Sequence, residues 1–600
     1  MREFSLPALY EVPTDGNLTD IVRRNAERHP EVAVIARKAG TAWQDVSARA
    51  FLAEVEKAAK GLIAAGVGPG DRVGLMSRTR YEWTLLDFAI WSAGGVTVPV
   101  YETSSSEQLE WILSDAGAVA CVVELDSHAA ELAAVRDRLP ALRHVWQIDA
   151  GGVEELGRLG AELADGDAVV AERGSLAKAD DPATIIYTSG TTGRPKGCVL
   201  THRSFLAECG NVVARLRPLF RTGECSILLF LPLAHVFGRM VQIAPMVAPI
   251  RLGCVPDIRQ LTDELASFQP TLVLGVPRVF EKVYNGARAK AQADGKGKIF
   301  DRAADTAIAY SRARDTAQGP SLGLRIKHKI FDKLVYRKIR AVLGGHGEYA
   351  ISGGAPLGER LGHFFRGIGF TVLEGYGLTE SCAATTFNPW DRQKIGTVGQ
   401  PLPGSVVRIA DDGEVLLHGE HLFTGYWNNE AATAEALRDG WFHTGDIGTL
   451  DEDGYLRITG RKKEIIVTAG GKNVAPAVIE DRIRAHALIA ECMVVGDGRP
   501  FIGALITLDE DFLGRWAREN GKPADATAAS LRSDPDLLAT LQRAVDDGNA
   551  AVSKAESVRK FRVLDSQFTE DSGHLTPSLK LKRNVVTKDF ADEIEALYRP

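Results

Sequence analysis

The segment Tyr187 to Gly197 reads Tyr-Thr-Ser-Gly-Thr-Thr-Gly-Arg-Pro-Lys-Gly and concentrates groups that bind phosphate. Its hydroxyls, on Thr188, Ser189, Thr191 and Thr192, can donate to phosphate oxygens, and Arg194 and Lys196 add positive charge. Gly190, Gly193 and Gly197 let the backbone turn tightly and bring N–H groups against an anion. This is the chemistry of a polyphosphate cradle. It differs from the Walker loop, in which Lys follows the second glycine and precedes Ser or Thr; here Lys196 precedes Gly197. The apolar run Ala183-Thr184-Ile185-Ile186 predicts a strand, so the cradle reads as a loop leaving it.

Further groups follow at the ends of other expected strands. Ser226 to Leu231 leads into Pro232-Leu233-Ala234-His235-Val236-Phe237-Gly238-Arg239, which places His235 where open α/β sheets bind ligands. Tyr349 to Ser352 leads into the turn Gly353-Gly354-Ala355. Phe370 to Leu373 leads into Glu374-Gly375-Tyr376-Gly377-Leu378-Thr379-Glu380. Later come Trp441-Phe442-His443-Thr444-Gly445-Asp446, Gly460-Arg461, and Leu575-Thr576-Pro577-Ser578-Leu579-Lys580-Leu581-Lys582-Arg583. Taken singly, Glu380 reads as a helix-start carboxylate, Asp446 as a turn residue and His235 as a structural hydrogen-bonder.

The elements that must position these residues alternate helix and strand. Asn17 to His29 predicts a helix behind an Asn cap, Val46 to Ala65 a longer one ended by Gly66, and Tyr81 to Gly94 a third. Arg72 to Met76, Val96 to Val100, Ala118 to Glu124 and Leu142 to Ile148 predict strands, the pattern of a parallel α/β sheet. A second α/β set follows the cradle, beginning with a helix from Thr201 to Leu216. Residues 396–457 have short strands and frequent turns, which predicts a small β-barrel or antiparallel sheet. After Gly460, strand, glycine turn and helix alternate to the end, as in a separate α+β lid, with helical elaboration over Ala524 to Ala544. The fold class is α/β. A 1–460 domain of two α/β subdomains and the barrel-like region is joined near Lys462 to a mobile 461–600 lid.

Composition narrows the class. At 600 residues the chain exceeds one core. Hydrophobic content of 45%, charged content of 25% and a net charge of -7 are those of a soluble protein with no overall nucleic-acid signal. Seven cysteines without a Cys-x-x-Cys pair point to reduced, buried thiols in a cytoplasm. The start lacks the apolar core of a signal peptide. An insertion at about 278–345 is basic, with 16 Lys/Arg against 6 Asp/Glu over 278–340. Within it Leu324 to Leu343 predicts an amphipathic helix with Ile326, Ile330, Leu334 and Val335 on its apolar side. We read it first as a solvated helix covering the core. The alternative is peripheral contact at the inner face of the membrane.

The order and content of these motifs resemble the acyl-adenylate-forming superfamily of acyl-CoA synthetases, adenylation domains and luciferases, over nearly the whole chain. Within it the insertion, Gly470-Gly471-Lys472-Asn473-Val474-Ala475-Pro476 and Thr-Pro-Ser-Leu-Lys-Leu-Lys-Arg look most like the long-chain fatty acid–CoA ligases. Leu579 stands where most of the superfamily has Gly, so Lys580 and Lys582 compete for the catalytic role; the spacing from Ser578 favours Lys580. The resemblance implies ATP, Mg2+ and coenzyme A as cofactors and a long-chain fatty acid as substrate. It implies that Ser189 to Gly193 and Lys196 hold the β- and γ-phosphates, that Thr188 and Glu380 hold Mg2+, and that Lys580 bridges the carboxylate and α-phosphate. Thr379 would lie near the α-phosphate. Gly353, Gly354, Ala355 and Tyr376, with Gly375 and Gly377 beside it, would line the adenine slot. Asp446 and Arg461 would take the ribose side and His235 would shape the acyl entrance. Gly470 and Gly471 would open a pantetheine tunnel once the lid turns. For the acyl tunnel wall we take Ala234, Val236, Gly238, Val276, Ser381 and Trp427. Transfer to a carrier protein instead of CoA, and a silent fatty-acid or nucleotide-binding regulator, are the competing readings.

Overall fold

A computed structural model describes residues 1–188, 194–523, 525–576 and 580–599. Two large sheets form its main body. In the first, the strand order is Gly425–Tyr426, Lys196–Thr201, Pro182–Thr188, Val96–Val100, Arg72–Met76, Ala120–Val123, His144–Gln147. The last five run parallel, as the helix–strand alternation predicts. The second sheet has nine strands. Its parallel centre is Thr371–Tyr376, Tyr349–Ser352, Leu272–Gly275, Ser226–Leu229, Arg251–Cys254 and Ala33–Ala39. Every residue of Val96–Val100 and Leu272–Gly275 is buried, which is why these strands read as continuous apolar runs.

Three assignments differ from the sequence reading. The sequence reading leaves Lys196–Thr201, between the cradle and the helix, unassigned, and it is a strand. Pro182–Thr188 pairs antiparallel with Lys196–Thr201, and the helix His202–Arg215 starts only after Thr201 caps it. The first of these two strands belongs to the first sheet, while Ala33–Ala39 and Ala42–Ser47, from the amino-terminal part of the chain, join the second. Asn17 acts one position outside the expected cap. The helix is Thr19–Arg28, and Asn17 Oδ1 accepts from the Thr19 N–H at 2.9 Å.

The turn-rich region forms an antiparallel sheet of Ser405–Ile409, Glu414–Gly419, Leu437–Arg438, Trp441–Leu450 and Leu456–Arg461, with Glu3–Ser5 along one edge. Among the described residues, strand pairing does not close it into a ring. From Ile466 onward the chain builds separate apolar cores around the three-stranded sheet Ile489–Val495, Ile502–Leu508 and Val558–Val563. Pro476–Arg484 and Pro535–Asn549 pack on each other there. Ala528–Leu531 and Pro535–Asn549 supply the expected helical elaboration. All seven cysteines are buried.

The basic insertion is helical throughout: Pro277–Ala293, Gly297–Arg314, Leu322–Phe331, a π-turn Asp332–Tyr336, and Arg337–Val342. The face covering the body is not the expected one. Tyr336 and Ile339 are buried and Leu324, His328 and Phe331 half-buried, whereas Ile326, Ile330 and Leu334 are exposed. No described helix is long and apolar enough to cross a membrane.

Candidate functional site

Two paired strands, Pro182–Thr188 and Lys196–Thr201, flank the cradle. Thr188 and Lys196 are directly opposed across the antiparallel ladder. Opposed residues put their side chains on one face, and both line a cleft of about 550 Å³. Ser189, Gly190, Thr191, Thr192 and Gly193 lie outside the described residues. The Lys196 ammonium lies 5.0 Å from the centroid of the Tyr426 ring. Tyr426 sits on the short strand Gly425–Tyr426, which pairs with Lys196–Thr201. Its phenol donates to Glu380 Oε1 at 2.7 Å. Burial, then the adjacent Glu380, raises the phenol pKa well above its ordinary value, so the group stays a donor.

Glu380 is held in the single 3₁₀ turn Thr379–Ser381. The Leu378 N–H donates to Ser381 Oγ at 2.9 Å, and the Phe423 N–H donates to the Glu380 carbonyl at 2.8 Å. The chain then bends through Cys382 (φ 56°) and Ala383 (φ 102°), left-handed conformations that cost free energy in non-glycine residues. The bend folds back on Gly377, where a Cβ would lie 1.7 Å from the Ala383 carbonyl oxygen. Gly377 is therefore required by the approach of the next turn.

Tyr376 donates to Asp446 Oδ2 at 2.7 Å. Asp446 and Arg461 are opposed on neighbouring strands, with Arg461 Nε 3.0 Å from Asp446 Oδ1. Asp446 is buried; Arg461 leaves about half of its side chain, 46%, exposed. Gly353, Gly354, Gly375, Tyr376, Gly377, Thr379, Glu380 and Arg461 line the same cleft as Thr188 and Lys196. Ala355 does not reach it.

His235 caps the helix Val236–Val247, its Nδ1 accepting from the Phe237 N–H at 3.2 Å. Burial, reinforced by the nearby Lys580 charge, lowers its pKa to about 3. The imidazole is neutral, with its proton on Nε2. Of the six proposed tunnel residues only Val236 lines the cavity. Trp427 instead donates its indole N–H to the Asp115 carbonyl at 3.0 Å, and Ser381 is turned back to Leu378. The apolar wall comes from Val212, Leu216, Phe237, Met240, Ile351 and Phe387.

Lys580 enters from the other core. The Thr576 N–H donates to the Lys580 carbonyl at 2.8 Å and the Lys580 N–H to Thr576 Oγ1 at 3.0 Å, which ties Lys580 to Thr576. His574 lies between Ser572, at 2.8 Å, and Asp589, at 3.1 Å. Lys580 is an exposed residue by surface area, but the surface it presents faces the cleft. Burial of the ammonium, then Arg461, lowers its pKa against the pull of Asp446 and Glu380. Lys582 does not line the cleft. Gly470 and Gly471 form a turn beside Thr468, away from it.

The sequence reading missed Tyr426 and Glu414. Glu414 accepts from the Gly445 N–H at 2.9 Å and lies 3.3 Å from Lys462 Nζ. A tyrosine in Thr424-Gly425-Tyr426-Trp427 has no chemical signal of its own; only pairing with the Lys196 strand brings it to Glu380.

Two α/β sheets, a small antiparallel sheet and a lysine loop converging on one cleft are the build of an AMP-binding enzyme, and the chain belongs to that family. The AMP-binding enzyme model matches residues 22–427, and the AMP-binding enzyme C-terminal domain matches 463–600. Over its whole length, and theirs, the chain is 52% identical to the long-chain-fatty-acid–CoA ligases FadD15 of Mycobacterium bovis and Mycobacterium tuberculosis. The A-PCP didomain of carboxylic acid reductase from Segniliparus rugosus, solved in complex with AMP, shares the fold. Its TM-score is 0.74 at 20% identity, over 97% of this chain and 82% of that one.

Proposed function

We propose that this protein is a long-chain fatty acid–CoA ligase. It joins the fatty acid to AMP with release of pyrophosphate, then transfers the acyl group to CoA. The observation that carries the reading is that Lys580, from the second core, lines one cleft with Lys196, Glu380, Tyr376 and Arg461. A carboxylate is a poor acyl donor because its leaving group is oxide or hydroxide. Adenylation cures that, but an anion must then approach a polyanion, and fixed cations at the developing charge lower that barrier.

In this scheme Lys196 and the N–H groups of Ser189 to Gly193 hold the β- and γ-phosphates. Asp446 accepts the ribose hydroxyls with Arg461 beside it. Gly353, Gly354, Gly375, Tyr376 and Gly377 flank the adenine, without the expected Ala355. Thr379 lies toward the α-phosphate and neutral His235 toward the acyl entrance. Lys580 bridges the carboxylate and the α-phosphate. Thr188 and Glu380 offer hard oxygen donors suited to Mg2+. No cluster of three metal-binding side chains exists among the described residues. That suits an ion that usually takes one or two carboxylates and completes its shell from phosphate and water. When bound there, Mg2+ would neutralise phosphate charge. Tyr426 orients both partners, through its hydrogen bond to Glu380 and its ring under Lys196.

The lid, 461–600, is proposed to turn about Lys462, whose ammonium now bonds Asp412 at 2.5 Å on the 1–460 body. Turning would withdraw Lys580 and bring Gly470 and Gly471 to the thiol path. We place the protein in the cytoplasm, with peripheral membrane contact through its basic insertion. Purified protein given ATP, Mg2+, palmitate and CoA as sole acceptor should form palmitoyl-CoA, AMP and pyrophosphate. Pyrophosphate release without acyl-CoA would assign a carrier-protein acceptor. Absence of ATP–pyrophosphate exchange would leave a silent binding protein.

A further inference from the structure

We propose that the segment Leu322–Val342 docks the protein on an anionic lipid surface through an apolar ridge set among cations. Leu322, Ile326, Ile330 and Leu334 recur every fourth residue and are 75%, 55%, 52% and 53% exposed. That spacing lines them along one side of a helix. Isolated exposed aliphatics need no explanation, but a contiguous row on a water-soluble surface marks a contact site.

The ridge cannot turn inward, because the opposite side is anchored to the body. The Tyr336 phenol donates to the Ala303 carbonyl at 2.7 Å, and His328 Nε2 bonds the Gly367 carbonyl at 2.6 Å. The His328 ring stacks on Tyr310 with centroids 3.9 Å apart. Arg340 donates to the Ile368 carbonyl. The outward face is thus fixed by contacts that the ridge residues do not make.

Charge selects the occupant. The segment carries seven Lys/Arg and one acidic residue, Asp332. Asp332 is already paired with Arg337 and Arg340. Lys327, Lys329 and Lys333 are exposed beside the ridge. An identical face on a second copy would set these cations against each other. A bilayer with anionic headgroups accepts both features: aliphatic side chains enter the acyl boundary while lysines stay at the phosphate level. The purpose of docking rests on the ligase reading, since a long-chain fatty acid partitions into bilayers and would be collected there.

The test is sedimentation of the full chain with vesicles of phosphatidylcholine, alone or mixed with phosphatidylglycerol. The wild type should partition onto the mixed vesicles and weaken as salt is raised. Ile326→Ser/Ile330→Ser should lower partitioning by about tenfold, and Lys327→Gln/Lys329→Gln/Lys333→Gln should lower it and flatten the salt dependence. Both variants should keep wild-type turnover of a short, water-soluble fatty acid, which shows that they fold. Failure of the wild type to partition, salt-insensitive partitioning, or equal partitioning by the Ile variant overturns the proposal. So does a dimer that Ile326→Ser/Ile330→Ser converts to monomer without any vesicle binding, because the ridge then belongs to a second copy. Loss of the ligase reading would appear differently, as no acyl-CoA from the wild type in free solution.

Discussion

Two Asp–Arg pairs in this molecule have the same chemistry and opposite surroundings. Asp87 and Arg239 are both fully buried, 2.9 Å apart. Thr97 and Gln242 each donate to the Asp87 carboxylate at 2.7 Å, and the guanidinium lies 4.9 Å from the Trp83 ring and 5.4 Å from that of Trp91. Asp446 and Arg461 are 3.0 Å apart, with Asp446 buried and each of its oxygens holding one partner and able to accept another, while Arg461 faces the cleft. The first pair has no room for a ligand and can only brace the helix Val236–Val247 against the helix Tyr81–Ser92. The second keeps unused donors at a surface. The residue types do not separate a brace from a site; opening onto the cleft does.

The comparison can be broken from either end. Arg239→Met should be the most damaging change, because it strands a buried carboxylate. Removing one partner of a buried pair costs about 3–5 kcal/mol, so chemical denaturation should show most of the stability lost. Stability near that of the wild type would mean that water reaches Asp87. Asp446→Ala should leave folding nearly intact and remove charge-assisted hydrogen bonds worth about 1.5–3 kcal/mol, read as a raised KM for ATP. An unchanged KM would remove Asp446 from the nucleotide site. Tyr426→Phe deletes one hydrogen bond and keeps the ring under Lys196. Loss of an outer-shell partner commonly weakens metal binding by about tenfold or more. Titration of Mn2+ onto the nucleotide complex should show that weakening, and wild-type affinity would leave Tyr426 a packing residue.

The smallest effect concerns protonation. Burial and the Lys580 charge both disfavour the His235 imidazolium, so its pKa falls, to about 3. An imidazole resonance assigned to His235 should stay at its neutral position as pH is lowered from 8 to about 5, across the ordinary histidine midpoint of about 6.5. A midpoint near that value would place the ring in water, away from Lys580.

Much of this was legible in the chain itself. The cradle is legible in its glycines, hydroxyls and cations; Glu380, Asp446 and Lys580 read as ordinary residues singly and become candidates only through the order of motifs that resembles the acyl-adenylate-forming superfamily. The parallel cores of the two sheets were legible too: strands buried on both faces read as unbroken apolar runs. What was not legible depends on partners distant in sequence. The strand Lys196–Thr201 goes unassigned between the cradle and the helix until Pro182–Thr188 is beside it. Tyr426 looks like a loop residue until its phenol donates a hydrogen bond to Glu380. Ile326, Ile330 and Leu334 look like a buried stripe, since periodicity finds a face but does not say which way it points. Five of the six residues taken for the acyl wall do not line the cleft, for the same reason.

The central claim is that a lysine from one core completes a site built on the other, for the first half-reaction only. Lys580→Ala tests it most directly, with ATP–pyrophosphate exchange measured beside thioester formation from supplied acyl-AMP and CoA. Loss of one such electrostatic contact costs on the order of 3–4 kcal/mol of barrier, so exchange should fall by two to three orders of magnitude while thioester formation stays near wild type. Equal loss in both half-reactions would contradict the account.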